Sequence, residues 1–533
     1  MQTVSENWKQ AHKQTLLNES FVEISLDIAD PASVADAAKQ GATDNGAIYI
    51  SNSFGVTDGI DTTPIPYCTL EQNLWCLDGS RRAIPDGTFG DNGFVSEVLS
   101  DDTCIFSAKV PMISISFSEV FGAFIPGITI TWSTTYGEFA DTFSVRAYNG
   151  DIVIAEKEVV GNRSVKSLVF LDIVEYDRIE IIINKWCLPN HRARVEDIFV
   201  GINKIYGKAD LFSYSHKQSA DPVSTSLPKS EIKFSIDNVN DDYNPYNSNG
   251  LAKYLTERTE VKTRYGLKKD DGSVEWIKGG TYYLSEWDAQ QNSLTADFKA
   301  RDLLEFMSDL YTETHDLSSR SLYDLAFRIL NTANLPMNSD GTVKWFIDES
   351  LKSKSTTAPL PKDSRANCLQ LIANAGECVL YQDRDGVLRI EPLQDVDTDY
   401  KINSFNSYSK AEITLSKPLK EIWVREYTYT IVNNKIESSY RKAGYMPNPS
   451  GEIIEIDNPL VTDQDRALSI ARWLRDYLGQ RMRVDTSWRA DVRLDALDIV
   501  TNENEYTRSR VIITDVEYKF NGAFRATGKG KVM

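Results

Sequence analysis

Carboxylates are the residues of this sequence with the most evident chemical potential, and Glu286 and Asp288 illustrate it. Two carboxyl groups can act as acid and base in glycoside hydrolysis when they flank the scissile bond from opposing sides. These two are separated by one residue on a predicted strand, so they point out of the same face, side by side. The sequence contains no serine-hydrolase, metalloprotease, phosphate-binding or kinase motif. We therefore predict a non-enzymatic protein without catalytic residues, and a polysaccharide-degrading enzyme is the third-ranked alternative.

The aromatic residues of region 31–203 suggest a different chemistry, the stacking of flat rings on sugars. Trp132 is in phase with Ile128 and Ile130 along an alternating run, so we expect it in the core. Trp75 and Tyr136 lie near turns and are the candidates for exposure. They are the predicted glycan-binding residues, with a host cell-surface polysaccharide as the ligand.

Metal-binding spacing is missing from the cysteines and histidines. The six cysteines form no CxxC pair, and the four histidines are isolated; they are Cys68, Cys76, Cys104, Cys187, Cys368, Cys378, His12, His191, His216 and His315. The tract DDYNP at 241–245 lacks the EF-hand spacing and its distal Glu, so a turn made by Asx side chains is favoured. We predict no metal and no cofactor, and a disulfide between Cys68 and Cys76 stays open.

Length and charge limit the possible classes of protein. The 533 residues suggest about three or four domains. The sequence contains no run of about 18 apolar residues, so it predicts no membrane span, and residues 1–18 do not resemble a secretory signal. The net charge of -19, from 58 basic and 77 acidic residues, argues against stable nucleic-acid binding, although a channel with this charge lets DNA pass.

Short alternating runs predict that most of the chain is β-structure. In region 31–203, apolar residues alternate with polar ones, typical of antiparallel sheets that pack on one side; these runs contain Ile113, Ile115, Ile128, Ile130, Phe143, Val145, Ile179, Ile181 and Ile183. The sequence pattern changes after residue 206, and the strands predicted there are the natural partners of the isolated strand 20–28. Region 31–203 is therefore predicted to be an insertion, which costs little loop-closure entropy.

Helical periodicity is confined to a few segments. Besides a stretch at 32–39, it predicts helices after Ser321 and after Ser364, the second ending at Gly376, and a helix over 463–478. A hairpin is predicted at 379–391, with Asp385-Gly386 at its turn. The remaining C-terminal segments return to β-structure.

Several stretches, taken in order, resemble a tail-hub family of phages and prophages, related to the baseplate hub of contractile tails and to tail-associated proteins of long non-contractile tails. They are SFVEISLDI (20–28), LPKSEIKFSIDNVNDDYNPYN (227–247), YLTERTEVKTRYG (254–266), WIKGGTYYLSEWDAQQNSLTADFKARDLLEFM (276–307), LDALDIV (494–500) and VIITDVEYKFNGAFRATGKGKV (511–532).

The resemblance implies two barrels of the tail-tube type in each subunit and a homotrimer that forms a pseudo-sixfold ring. The implied partners are the distal tail protein, the tail tube protein and the tape measure protein. The implied location is the tail tip of a virion assembled in the host cytoplasm. Relatives that carry a cell-wall hydrolase append it after the last barrel; this sequence ends at Met533, so we expect no lytic activity.

Together these inferences predict a mainly β protein with minor α content and four domains. The first barrel is split over 1–30 and 204–315. An inserted β-sandwich occupies 31–203, and its pattern of short strands is similar to that of galactose-binding-like jelly rolls. A small α/β lateral domain covers 316–395, and a second barrel with one helix covers 396–533. The leading function is a structural tail-tip hub that continues the tube and allows DNA passage. The first alternative is a host-receptor adhesin in which the jelly roll is the main functional module.

Overall fold

The computed structural model describes residues 1–14, 18–59, 64–82, 92–247, 250–289, 294–313, 317–338, 342–432, 435–446, 448–489, 491–503, 506 and 508–533. His315 and the predicted boundary at 315/316 lie outside these residues. The chain forms two compact units. The first contains Met1–Ile24, Tyr206–Leu335 and Lys344–Met533, and the second contains Ser25–Ile205 and Pro336–Val343.

One long sheet dominates the first unit. Its main path of hydrogen-bonded strands has the order Ile202–Tyr206, Ser20–Ile28, Glu260–Lys268, Val274–Asp288, Thr295–Arg301, Lys229–Asp237, Leu211–Ser219, Arg508–Phe520, Phe524–Val532, Met482–Arg489 and Glu412–Leu415. Off this path, Ile499–Glu503 pairs with Arg508–Phe520, and Asp397–Ile402 pairs with Ile499–Glu503. Strands before residue 315 thus form one half of the sheet, and strands after residue 396 form the other.

The two halves join through the strands Leu211–Ser219 and Arg508–Phe520. These strands are antiparallel, in unbroken register from Tyr214 opposite Phe520 to Ser219 opposite Asp515. The sequence predicts two separate barrel-type domains here, and the structure joins their strands edge to edge within one chain.

Alternation along the strands explains how the sheet buries one face. In Lys229–Asp237, Ile232, Phe234 and Ile236 are buried, while Lys233 is exposed between them. The ring of Phe234 stacks on that of Phe298 in the neighbouring strand, with 5.1 Å between centroids. Such same-face aromatic pairs stabilise the pairing of adjacent strands.

Helices and a small sheet follow the first half of the long sheet. The helices Leu322–Asn331 and Arg365–Ala375 begin where predicted, because Ser321 Oγ accepts the Asp324 N–H at 3.0 Å and Ser364 Oγ accepts the Asn367 N–H at 3.2 Å. The predicted hairpin is present as the antiparallel strands Val379–Gln382 and Leu388–Glu391, joined to the parallel strand Trp345–Ile347. Gly386 has a φ of +77° in its turn, a conformation that favours glycine.

The last helix, Gln464–Leu478, packs on a three-stranded sheet. Its buried stripe consists of Ala467, Ile470, Ala471 and Leu474, and Leu478 is half-buried. The sheet consists of Lys435–Tyr445, Leu419–Val432 and Glu452–Ile456. One apolar cluster connects this helix with the two earlier helices, so these elements share a core.

The second unit is a β-sandwich preceded by the helix Pro31–Gln40. A five-stranded sheet has the order Ala42–Asp44, Met112–Phe121, Tyr176–Trp186, Ala140–Asn149 and Ile152–Val160. A three-stranded sheet has the order Asp197–Phe199, Ile125–Thr131 and Lys166–Ile173, and a third pairs Arg192–Val195 with Phe94–Leu99. The strand Ile202–Tyr206 leads the chain out of this unit.

Both larger sheets of the sandwich contribute to one apolar core. The alternating residues identified from the sequence are buried there, among them Ile113, Ile130 and Ile181, and Trp132 is fully buried as predicted. These observations confirm a mainly β, multidomain protein with minor α content. The division into four domains, the jelly-roll topology and the closure of each half into a barrel stay predictions.

Candidate functional site

The described loop 64–82 of the sandwich unit exposes a group of apolar side chains. Trp75 has 57% of its surface accessible, and Leu70 and Leu77 are exposed beside it in sequence. An exposed tryptophan ring offers a flat apolar surface on which a sugar ring can stack. Trp75 is therefore available for the role predicted from the sequence.

Tyr136, the second predicted glycan residue, is half-buried between two arginines. The guanidinium carbon of Arg81 lies 5.1 Å from its ring centroid and that of Arg194 lies 4.9 Å away. Burial raises the pKa of the Tyr136 hydroxyl. Its ring is thus already in contact with cations, which attract the face of an aromatic ring.

Arg81 links the two predicted residues. Its Nη1 donates a hydrogen bond of 3.0 Å to the carbonyl of Leu74, the residue before Trp75, while its guanidinium lies over Tyr136. The structure therefore brings Trp75 and Tyr136 to the same region of the sandwich.

Glu71 anchors the loop to the body of the sandwich. Its carboxylate accepts hydrogen bonds from Arg194 Nη1 at 2.8 Å, the Arg192 backbone N–H at 2.9 Å and the Thr69 hydroxyl at 2.7 Å. Burial alone would raise the pKa of Glu71, but the hydrogen bonds and charge of Arg194 outweigh it, so the pKa lies below its ordinary value. The loop is held by a buried ionised pair.

A second buried carboxylate, Glu138, lies near the Arg194 guanidinium. It accepts the indole N–H of Trp186 at 2.8 Å, lies 2.9 Å from His191 Nδ1, and is 3.7 Å from Arg194 Nη1. Glu71 and Glu138 are each only 3% exposed. Both carboxylates are enclosed and hydrogen-bonded, so neither can reach a glycosidic bond.

The turn that carries Tyr136 is held by Glu196. Its carboxylate accepts the hydroxyl of Thr134 at 2.6 Å and the backbone N–H of the same residue at 2.9 Å. Burial raises the pKa of Glu196 above its ordinary value. This turn and the loop 64–82 are thus each held by hydrogen bonds that involve a carboxylate, which preorganises the candidate surface around Trp75.

Sequence reasoning missed Arg81, Glu71 and Arg194, which build the support of this site. The available signal was the pair Arg192 and Arg194, which alternate with Ala193 along a short strand and so point out of the same face. That spacing predicts two neighbouring cations, but it does not predict that Glu71 is the carboxylate in contact with them.

The carboxylate pair Glu286 and Asp288 lies at the end of the strand Val274–Asp288 in the first unit. Glu286 forms ion pairs with Lys299 at 3.2 Å and Arg301 at 3.4 Å. This carboxylate therefore takes part in surface ion pairs of the neighbouring strand.

The first unit also contains a cleft of about 510 Å³ with acidic walls. Two of its carboxylates are already paired: Asp397 with Arg510 at 2.7 Å, and Asp498 with the N-terminal ammonium at 2.7 Å. Within the described ranges, no group of three His, Cys, Asp or Glu residues could hold a metal ion. No helix in the described part of the chain is long and apolar enough to cross a membrane.

Comparisons with known proteins found no matching family model and no matching curated protein. Among solved structures, the chain is similar to the 43 kDa tail protein of prophage MuSo2 from Shewanella oneidensis, with 12% identity and a TM-score of 0.42 over 61% of this chain and 95% of that one. It is similar to a tail protein from Neisseria meningitidis MC58, with 10% identity and a TM-score of 0.42 over 62% and 93%.

A third similar structure is the prophage tail protein gp18 from Listeria monocytogenes EGD-e, with 13% identity and a TM-score of 0.40 over 62% of this chain and 91% of that one. TM-scores below 0.5 at such identities are too low to establish a shared function.

Proposed function

We propose that this chain is a non-enzymatic structural hub of a phage tail tip, and that three copies close a pseudo-sixfold ring that continues the tail tube. The proposal rests on the resemblance of its sequence stretches and on one structural observation. That observation is the edge-to-edge pairing of Leu211–Ser219 with Arg508–Phe520, which joins two sheet halves in one chain.

A ring of six sheet halves needs the same kind of junction between subunits as within them. At one end of the long sheet lies the strand Glu412–Leu415, which pairs on one side with Met482–Arg489. Ile413 and Leu415 are 50% and 57% exposed on this strand. Exposed apolar edge strands tend to pair with another chain, and closing a ring satisfies such edges. This edge is the proposed subunit contact.

The charge of the chain suits a passage rather than a binding surface. A net charge of -19 disfavours tight contact with phosphates, so DNA and the tape measure protein can move through the ring without being held. The other proposed partners are the distal tail protein and the tail tube protein. The proposed location is the tail tip of a virion assembled in the host cytoplasm.

An edge variant tests the subunit contact. We expect the double variant Ile413→Asp, Leu415→Asp to sediment as a monomer of 60.1 kDa, while the unchanged chain sediments as a trimer of three times that mass. The matched control is the double variant Ile152→Asp, Val160→Asp, which places the same two charges at exposed apolar positions of the sandwich unit. A double variant that stays trimeric would exclude this edge as the contact.

The exposure of Trp75 favours a second candidate function, host-surface glycan binding by the sandwich unit. We propose that Trp75 stacks on a sugar ring of a host cell-surface polysaccharide while Tyr136 and its arginines support the surface. The full-length Trp75→Ala variant should lose binding to host envelope polysaccharide. Tyr246→Ala, which removes an exposed aromatic side chain of the first unit, should retain it. Equal binding by both variants would eliminate this candidate.

A further inference from the structure

Two cysteines meet within the loop that carries Trp75. The thiol of Cys68 donates a hydrogen bond to the backbone carbonyl of Cys76. Cys76 is half-buried and its sulfur lies 4.0 Å from the carbonyl oxygen of Asn73. The sulfur of Cys68 is thus in contact with the residue that carries the second thiol.

The surrounding loop holds this arrangement in place. The Cys68 N–H donates to the carbonyl of Arg82 at 2.8 Å, and the Arg82 N–H donates to the carbonyl of Pro66 at 2.9 Å. Between the cysteines, Glu71 is fixed by Arg194. The carbonyl oxygen of Cys76 that Cys68 contacts is two bonds from the Cys76 Cα, and the β-carbon that carries the Cys76 sulfur is one bond from it. Rotation of the Cys76 side chain can therefore bring its sulfur towards Cys68. Disulfides need the two Cα atoms to lie within about 7 Å.

We propose that Cys68 and Cys76 are a modification site at which an intraloop disulfide forms under oxidising conditions. The oxidant is a peroxide, and the half-buried Cys76 thiol is the first to react. Hydrogen peroxide transfers one oxygen atom to this thiol, which yields a sulfenic acid and water. The Cys68 thiolate then attacks the sulfenic sulfur, the S–S bond forms and the S–O bond breaks. The hydroxide that leaves takes up the proton lost by Cys68 and becomes water.

Three of the other cysteines are poorly suited to the same reaction. Cys368 and Cys378 are fully buried, and burial raises the pKa of Cys368 to about 11 and that of Cys378 to about 12. Burial likewise raises the pKa of Cys187 to about 11. Because the thiolate is the reactive form, these thiols should react slowly with peroxide near neutral pH.

The disulfide would enclose the exposed segment of the candidate glycan surface. Residues 68–76 contain both the anchor Glu71 and the exposed Trp75. Cross-linking a loop reduces the number of conformations open to it. Oxidation would therefore restrict the loop that presents Trp75, and this inference does not depend on the proposed tail-tip role.

Peptide mapping of the full-length chain tests the proposal directly. Trypsin releases residues 40–81 as one peptide that contains Cys68 and Cys76 only, and residues 366–384 as one peptide that contains Cys368 and Cys378 only. The reduced protein is treated with one equivalent of hydrogen peroxide at pH 7.5, then unfolded in the presence of an alkylating reagent. We expect peptide 40–81 to lack two hydrogen atoms and to carry no alkyl group, and peptide 366–384 to be alkylated at both cysteines.

Two single variants identify the roles of the two thiols. In Cys68→Ser, the sulfenic acid at Cys76 has no resolving thiol and should accumulate as a dimedone adduct. In Cys76→Ser, no such adduct should form at the buried Cys68. Double alkylation of peptide 40–81 after peroxide treatment, or equal oxidation of peptide 366–384, would overturn the proposal.

Discussion

Replacing Arg384 by methionine is expected to destabilise the first unit strongly. Arg384 lies in the turn of the hairpin 379–391 but is only 4% exposed. Its Nε donates to Asp495 at 2.7 Å, and its Nη atoms donate to the carbonyls of Lys278, Val492 and Leu494 at 2.8, 2.6 and 3.0 Å. One guanidinium thus connects the hairpin with both halves of the long sheet.

The size of the effect follows from what the substitution leaves behind. Removing one partner of a buried ion pair costs about 3–5 kcal/mol, because the remaining charge is uncompensated. The Asp495 side chain is 22% exposed, so water compensates part of its charge and the lower end of this range applies. We expect Arg384→Met to reduce the free energy of unfolding by about 3 kcal/mol.

Denaturant titration with circular dichroism measures this loss, and two further variants serve as controls. Arg389→Met removes a more exposed partner of Asp383 on the same hairpin and should cost less than about 1 kcal/mol. Adding Asp495→Asn to Arg384→Met should recover about half of the loss, since no uncompensated charge remains. A loss below about 1 kcal/mol for Arg384→Met would refute the view that this arginine joins the three elements.

Three other outcomes are expected. Glu71→Gln should lower the stability of the sandwich unit by about 2 kcal/mol, seen as an earlier thermal transition, because Arg194 loses its charged acceptor. Burial raises the pKa of Asp302 to about 7 from 3.8, so the native chain retains a proton that the unfolded chain releases. Stability should therefore fall as the pH rises from about 4 to about 7, and Asp302→Asn should flatten that slope; an unchanged slope would disprove the assignment. Ser364→Ala should cost about 1 kcal/mol in the same titration, and no loss would show that this helix cap is dispensable.

Local patterns were sufficient to predict most of the elements. Ile232, Phe234 and Ile236 alternate because one face of their strand packs on the core, and this period of two is visible in the sequence. Ser321 and Ser364 precede helical periodicity, and both cap their helices in the structure. Such signals come from residues close together in the chain.

Contacts between distant residues could not be predicted in the same way. Glu71 and Arg194 are 123 positions apart, and no local pattern links them. Arg384 stands in an Asp-Arg-Asp-Gly turn, which correctly predicts the hairpin but is typical of a solvated turn rather than of a buried cation. Trp75 was a candidate for exposure because turns surround it, whereas the arginines around Tyr136 come from separate strands and loops.

Formation of a trimeric ring is the central claim, and mass measurement of the purified protein combined with low-resolution imaging tests it most directly. We predict a particle of three times 60.1 kDa with threefold symmetry and a central channel, formed by the chain alone or with the neighbouring tail proteins. A stable monomer of 60.1 kDa without rings, even in the presence of those proteins, would contradict the claim.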